Sequence, residues 1–177
     1  MEDRQGAFRA LYDEQFDAVA AYARRRSATA ADADDVVAET FLVAWRRLEE
    51  MPTGEACRPW LYGVAGRVLA NQRRGSARRR RLGERLRAER PAGQADQSAE
   101  SPVARAFDAL TAGEREVLGL AYWEDLDPGE IALALGCSRN AARIRLHRAR
   151  RSLAREMEMT EGARIRAAVP MREEGAR

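Results

Sequence analysis

The residues of this sequence best placed to do chemistry are arginines, which supply all 31 of its basic side chains. One group stands at intervals of four, three and four residues, the spacing of one α-helical face: Arg67, Asn71, Arg74 and Arg78. A guanidinium binds a phosphate or the edge of guanine through two parallel hydrogen bonds. The spacing therefore predicts a ridge along which a nucleic-acid strand can lie.

A second arginine-rich helix is predicted around residue 146. Its apolar side is marked by intervals of four, three and four residues, at Ala142, Leu146, Ala149 and Leu153. The other sides carry arginines together with Ile144 and His147. Such a helix fits the major groove of DNA, where arginine pairs with guanine and an aliphatic side chain meets a thymine methyl group. A solvated basic helix in a bundle is the simpler alternative.

Catalytic chemistry is not expected from this composition. His147 is the only histidine, so no pair of histidines can bind a metal, and a catalytic triad would depend on this one ring. Cys57 and Cys137 stand far apart in the chain and form neither a disulfide framework nor a metal-binding pattern. We therefore predict no catalytic residue, no metal and no cofactor, and two reduced, buried cysteines.

The first ridge lies on the last of three helices predicted in the N-terminal half of the chain. Apolar residues from Phe8 to Ala23 recur at helical spacing, and this first helix is expected to end near Arg26. Asp32 is the expected N-cap of the second helix, and Pro59 suits the first position of the third. Because each helix has one apolar stripe, the three are expected to form a small bundle.

The third helix contains two residues that disfavour a helix, Gly63 and Gly66. Each costs about 1 kcal/mol relative to alanine, which suggests that something approaches the backbone closely at this point. The neighbouring aromatic residues Trp60 and Tyr62 could stack on unpaired bases, although the core is the expected place of Trp60.

The signals before the second arginine-rich helix are those of a helix-turn-helix. Two capping boxes start successive helices, formed by Thr111 with Glu114 and by Asp127 with Glu130. A helix is predicted over residues 128–135, with Gly136 as its left-handed C-cap, and Ser138 can cap the next helix. A short helix, a glycine turn and a second helix make up this DNA-binding motif.

The distribution of charge separates two basic regions. Residues 58–90 carry 11 arginines against 2 acids, whereas residues 1–57 carry 7 against 12. A polar segment with prolines near both ends, residues 91–102, is typical of a linker. We predict an all-α fold of two small helical domains joined by a flexible linker, with domains at residues 6–90 and 103–157 and a C-terminal tail at residues 158–177. The second domain is the helix-turn-helix.

Three segments together resemble the extracytoplasmic-function (ECF) class of bacterial RNA polymerase sigma factors. They are DDVVAETFLVAW, RPWLYGVAGRVLANQRRG and LTAGEREVLGLAYWEDLDPGEIALALGCSRNAARIRLHRAR, and the resemblance covers most of residues 7–155. The helix-turn-helix alone is a generic signal, but the two preceding segments make the resemblance specific. It implies a sigma factor that directs core polymerase to specific promoters and assists their melting.

The resemblance also implies roles for individual residues. It gives polymerase binding to Asp34, Asp35 and Glu39. Contacts with the −10 promoter element fall to Arg67, Asn71, Arg73, Arg74 and Arg78. Contacts with the −35 element fall to Ser138, Arg139, Asn140, Arg143, Ile144, His147 and Arg148. The implied partners are promoter DNA and core polymerase, through its β′ clamp helices and β flap, and an anti-sigma factor is a further candidate.

Other functions remain open on the residues alone. A stand-alone helix-turn-helix regulator would use the first domain to bind a ligand or to dimerise. An RNA-binding adaptor would use the arginine tract, and an enzyme that acts on nucleic acid would need chemistry that the sequence does not offer. No apolar run is long enough to span a bilayer, and the acidic start MEDRQGAF is unlike a signal peptide. The sequence therefore predicts a cytoplasmic protein that does not insert into a membrane.

Overall fold

A computed structural model describes the backbone of residues 2–86 and 101–168, and the side chains of residues 4–75 and 101–160. Within these ranges the chain is helical and has no β-strand, which confirms the all-α fold. The helices are α1 (Glu2–Arg26), α2 (Ala30–Arg46), α3 (Cys57–Leu86), α4 (Pro102–Ala109), α5 (Ala112–Tyr122), α6 (Pro128–Leu135) and α7 (Arg139–Ala168), and a 3₁₀ turn (Gly54–Ala56) precedes α3.

The predicted linker at residues 91–102 lies almost wholly outside the described residues, as does the end of the tail. The described part of the tail continues α7 as far as Ala168. Helices α1–α3 form one module and helices α4–α7 a second one, and the exact domain boundaries stay a prediction.

The N-terminal module is a three-helix bundle around apolar side chains. Val19, Val36 and Leu61, one from each helix, are completely buried. Phe41 is also buried, and Tyr12 covers it with ring centroids 4.7 Å apart while keeping 37% of its own surface exposed. The predicted stripe of α1 is therefore the packed side of that helix, with its aromatic members at the edge of the core.

Local details of this module differ from the sequence predictions. The N-cap of α2 is Thr29, not Asp32, because Thr29 lies in extended conformation before the helix and its side chain accepts a hydrogen bond from the Asp32 amide at 3.1 Å. Helix α3 begins at Cys57, so Pro59 is its third residue. Tyr62 is buried and cannot stack on bases, because its ring packs against that of Tyr22 at 4.9 Å.

Cysteines and tryptophan follow the predictions in part. Cys57 and Cys137 are free thiols as expected, but only Cys57 is buried, and Cys137 is half-buried. Trp60 is also half-buried and packs against the core.

The C-terminal module forms the predicted helix-turn-helix. Both capping boxes are present, at the starts of α5 and α6. Gly136 ends α6 with φ +61°, a left-handed conformation that favours glycine. The Ser138 hydroxyl then accepts a hydrogen bond from the Ala141 amide at 3.2 Å and caps α7. The turn therefore fixes the angle at which α7 leaves α6.

The predicted inward stripe of α7 is also confirmed. Ala142, Leu146 and Ala149 are buried, and Leu153 is partly buried against the same core. The arginines on the remaining sides of this helix are exposed as predicted.

The two modules pack against each other, which the sequence did not predict. Helix α6 lies along α3, and buried side chains of both modules belong to one continuous apolar cluster. Arg26 at the end of α1 contacts Glu116 of α5 and Glu124 of the turn that follows it. The two modules of the described chain are therefore in direct contact.

Replacing Thr111 by alanine is expected to lower the free energy of unfolding of the chain by about 1 kcal/mol, because the N-cap of α5 is lost. Thr111 accepts a hydrogen bond from the Glu114 amide and donates one to the Glu114 carboxylate at 2.7 Å. Urea unfolding followed by circular dichroism measures the change. Thr53→Ala is the matched control, because Thr53 precedes the 3₁₀ turn without a capping hydrogen bond. Equal losses in the two variants would contradict the capping role.

Candidate nucleic-acid interface

The predicted recognition helix, α7, presents an uninterrupted exposed face. Arg143, His147 and Arg148 are exposed, and Ile144 keeps 43% of its surface accessible. Since the opposite face is buried, the helix can enter a groove without losing its packing. The structure thus brings these four predicted residues onto one accessible surface.

The start of α7 is held by the start of α6. Arg139 lies 3.4 Å from Asp127, and Asp127 in turn accepts hydrogen bonds from the amides of Gly129 and Glu130. These backbone hydrogen bonds hold the pKa of Asp127 below its ordinary value. The carboxylate therefore stays charged as a partner for Arg139. Asn140 is exposed beside it, while Ser138 uses its hydroxyl as a cap.

The predicted ridge on α3 is present, but its members differ in what they contact. Arg67, Asn71 and Arg74 are exposed, and Arg74 donates a hydrogen bond to the Asn71 side chain at 2.5 Å. Arg73 points to α1 instead, where it donates to the carbonyl oxygen of Arg26 at 2.9 Å. Residue 78 lies in the helical part of α3, but the side chain of Arg78 falls outside the described residues.

The acidic residues of α2 face the basic ridge of α3 across a cleft of about 900 Å³. Asp35 and Glu39 line it from one side, and Arg67 and Asn71 line it from the other. Asp34 is exposed but is not part of the lining. The structure therefore joins two sets of residues that the sequence assigned to separate roles.

Two further arginines belong to this cleft and were missed. Arg46 and Arg47 lie seven and eight residues after Glu39, and both line the cleft with Leu42. Helical spacing from Glu39 could have revealed them, since residues seven apart share a face. They add positive charge at the end of α2.

An exposed aromatic pair beside α7 was also missed. Tyr122 keeps 61% and Trp123 48% of their surface accessible. Arg150 donates a hydrogen bond to the Tyr122 hydroxyl at 3.0 Å, and its guanidinium lies 5.5 Å from the ring centre. One arginine of α7 is therefore turned away from the groove-facing residues.

Two features are absent from the part of the chain that the structure describes. No cluster of three or more histidine, cysteine or acidic side chains is suited to hold a metal ion. No described helix is both long and apolar enough to cross a bilayer.

A helical chain with a capped helix-turn-helix and a second exposed arginine ridge is typical of DNA-binding proteins. Comparison with protein families gives the particular class. The family model "Sigma-70 region 2" matches residues 11–79, and "Sigma-70, region 4" matches residues 101–153. The chain is also 34% identical over 155 residues to the ECF RNA polymerase sigma factor SigL of Mycobacterium tuberculosis, over 82% of this chain and 85% of that protein.

Solved structures share the architecture. A sigma factor RpoE, solved in complex with the anti-sigma factor NepR from Bartonella quintana, matches with a TM-score of 0.65 and 22% identity over 85% of this chain and 96% of that one, a likeness of fold. The CnrH structure, solved with the cytosolic domain of CnrY, matches with a TM-score of 0.60 and 28% identity over 88% of this chain and 90% of that one.

The chain belongs to the sigma-70 family and, within it, to the ECF class. It is an RNA polymerase sigma factor, which directs core polymerase to promoters and takes part in transcription initiation. Sigma factors are in general initiation factors without enzymatic activity. The alternative of a stand-alone helix-turn-helix regulator is not favoured, because the N-terminal module matches sigma region 2.

Proposed function

We propose that this sigma factor docks on the β′ clamp helices of core polymerase through Asp34, Asp35 and Glu39. The support is that all three are exposed on α2 and that Asp35 and Glu39 line the same cleft. Three exposed carboxylates on a packed helix suit a basic partner surface. The second module would contact the β flap.

The −10 element is proposed to lie along α3. Arg67, Asn71 and Arg74 present donors on its exposed side, and Arg46 with Arg47 extends the positive charge across the cleft. Arginine contacts to the backbone could offset the few kcal/mol that unstacking a base costs. Arg73 and Arg78 belong to the same proposal, and Arg73 would first have to leave the Arg26 carbonyl oxygen.

The −35 element is proposed to be read by α7. Arg143, Ile144, His147 and Arg148 would face base edges in the major groove, and Ser138, Arg139 and Asn140 would approach the backbone at the start of the helix. A helix N-terminus suits phosphates, because its free amides point towards them.

Three further properties are part of the proposal. The chain catalyses no reaction itself and uses no cofactor. It acts in the cytoplasm, where core polymerase and promoter DNA are found. An anti-sigma factor is a candidate regulator, because two of the matching structures hold sigma factors with such inhibitors or partner domains.

The observation that carries the proposal is that α2 presents exposed acids, α3 presents exposed arginines across the cleft from them, and α7 presents an exposed arginine-rich face. The test is reconstitution: the purified chain is mixed with core polymerase, and gel filtration and runoff transcription are measured. Co-elution with polymerase and initiation at defined start sites are expected. Binding to a palindromic operator without any effect on polymerase would contradict the proposal.

A further inference from the structure

An exposed tyrosine and an exposed arginine form a pair at the edge of the C-terminal module. Tyr122 is the last residue of α5 and keeps 61% of its surface accessible, and Arg150 lies in α7. The Arg150 Nε donates a hydrogen bond to the Tyr122 hydroxyl at 3.0 Å, and the guanidinium carbon lies 5.5 Å from the ring centre. The arginine is therefore held by a hydrogen bond and a cation–π contact from a neighbouring helix.

The helices that carry this pair are anchored in the core of the module. Helix α5 packs along α7. Leu120 is buried two residues before Tyr122, and Ala149 is buried directly before Arg150. Because both backbones are fixed, the pair presents the guanidinium from a defined position. An arginine that is already held loses less conformational freedom when it binds a partner.

The hydrogen bond between the two side chains leaves most donors of the pair available. Only Nε of Arg150 donates to Tyr122. The N–H groups of Nη1 and Nη2 remain, and they form the fork that binds two oxygens of one phosphate. A tyrosine hydroxyl that accepts one hydrogen bond can still donate its own hydrogen. The chemistry of the pair therefore fits a phosphodiester.

Arg150 lies on the flank of α7, beside its groove-facing side. Six residues separate it from Ile144, which turns Arg150 by about 120° around the helix axis relative to Ile144. A helix with its side chains is about 10–12 Å wide, and the major groove of DNA is about 12 Å wide. The flanks of an inserted helix therefore face the phosphates at the edges of the groove.

The position of Arg150 along α7 also favours a phosphate. A recognition helix contacts base edges with its N-terminal residues. Arg143 is one of these, and Arg150 follows it by seven residues, or about 10 Å along the axis. Contacts to phosphates fix the register and orientation of a protein on the duplex and do not read its sequence directly.

We propose that Tyr122 is a positioning residue that holds the Arg150 guanidinium against a phosphate at the edge of the −35 element. Arg150 touches the DNA, and Tyr122 acts through it. The proposal deepens the function proposed above, because it rests on α7 entering the major groove. The pair fixes how the helix sits on the duplex, whereas the groove-facing residues determine which sequence is preferred.

The first test is Arg150→Ala in the full chain, bound to core polymerase, on a promoter duplex that the wild-type holoenzyme transcribes. Affinity is expected to fall at least about tenfold, because charge-assisted hydrogen bonds are lost. A plot of log affinity against log salt concentration should become less steep by about 1. The loss should be equal for duplexes that differ in the −35 sequence.

Arg9→Ala is the matched control for Arg150→Ala. It changes the net charge by the same amount, and the Arg9 side chain is 87% exposed on α1. Its affinity and salt dependence should equal those of the wild-type chain. Circular dichroism at 222 nm should show unchanged helix content in both variants.

The second test is Tyr122→Phe, which keeps the ring and removes only the hydroxyl. Affinity for the same duplex is expected to fall about threefold to tenfold, with the salt dependence unchanged because Arg150 is still present. In a chain that already carries Arg150→Ala, Tyr122→Phe should have no further effect. Tyr12→Phe is the control, since Tyr12 is 37% exposed on α1, and it should bind as the wild-type chain does.

Three outcomes would overturn the inference. Tyr122→Phe could lower affinity equally with and without Arg150, which would mark a role that does not pass through the arginine. Arg150→Ala could leave the salt dependence unchanged, or its loss could be confined to one −35 sequence. Failure of the proposed function has a different signature, since the wild-type chain would then give core polymerase no preference for any promoter duplex.

Discussion

Replacing Asp35 and Glu39 together by alanine is expected to weaken binding to core polymerase by about 2–5 kcal/mol, or at least about 30-fold. Both carboxylates are exposed on α2 at the cleft with α3, so their loss should not disturb packing. The loss should instead leave positive charges of the polymerase without partners. Surface-based binding assays with core polymerase measure the affinity.

The matched control is Asp13→Ala with Asp17→Ala. These two acids are also exposed and four residues apart, but they lie on α1. The control changes net charge by the same amount, so it separates a local contact from a general electrostatic effect. Equal losses in both double variants would contradict docking through α2.

Replacing Arg143 by alanine is expected to cost about 1–3 kcal/mol in binding of polymerase holoenzyme to its promoter, because a bidentate contact to guanine is lost. Arg143 is exposed one turn into α7, where a groove-bound helix is closest to the bases. Affinity for core polymerase should not change. Competition binding with promoters altered in the −35 element measures the effect, and the preference at one base pair should relax.

Arg155→Ala serves as the control for this substitution. Arg155 is exposed on the same helix, and twelve residues of helix place it about 18 Å from Arg143. Its removal should leave the preference among −35 sequences intact. Loss of affinity that is uniform across all sequences in Arg143→Ala would instead mark a phosphate contact and contradict base recognition.

The helix-turn-helix could be predicted from sequence because its signals are local. Each capping box joins residues three apart, and the left-handed residue of the turn is a glycine. These interactions do not depend on residues elsewhere in the chain. For the same reason α6 was predicted with its correct limits, Pro128 and Leu135.

Other features depended on residues far apart in sequence. Tyr62 looked available for bases, but Tyr22 of another helix covers it. The salt bridges of Arg26 join residues that no spacing rule connects. Even the N-cap of α2 was misplaced by three residues, because threonine and aspartate both cap helices well and Thr29 comes first.

For the candidate site, the sequence likewise predicted features of single helices but not the contacts between helices. The spacing of the apolar residues predicted which faces of α2 and α3 are buried, but not the angle between the two helices. The sequence therefore did not predict that Glu39 and Arg67 line the same cleft. The exposed face of α7 was foreseen, because a helix with one apolar stripe must present its other sides to solvent.

The charge at the centre of the contact between the modules is carried by an arginine. Burial opposes the charged form of Arg26, but Glu116, Tyr22 and Glu124 outweigh it, and the pKa of the guanidinium lies above its ordinary value. Dissolved salt screens buried pairs much less than exposed ones. The contact of Arg26 with Glu116 and Glu124 is therefore expected to persist at alkaline pH and at a raised salt concentration.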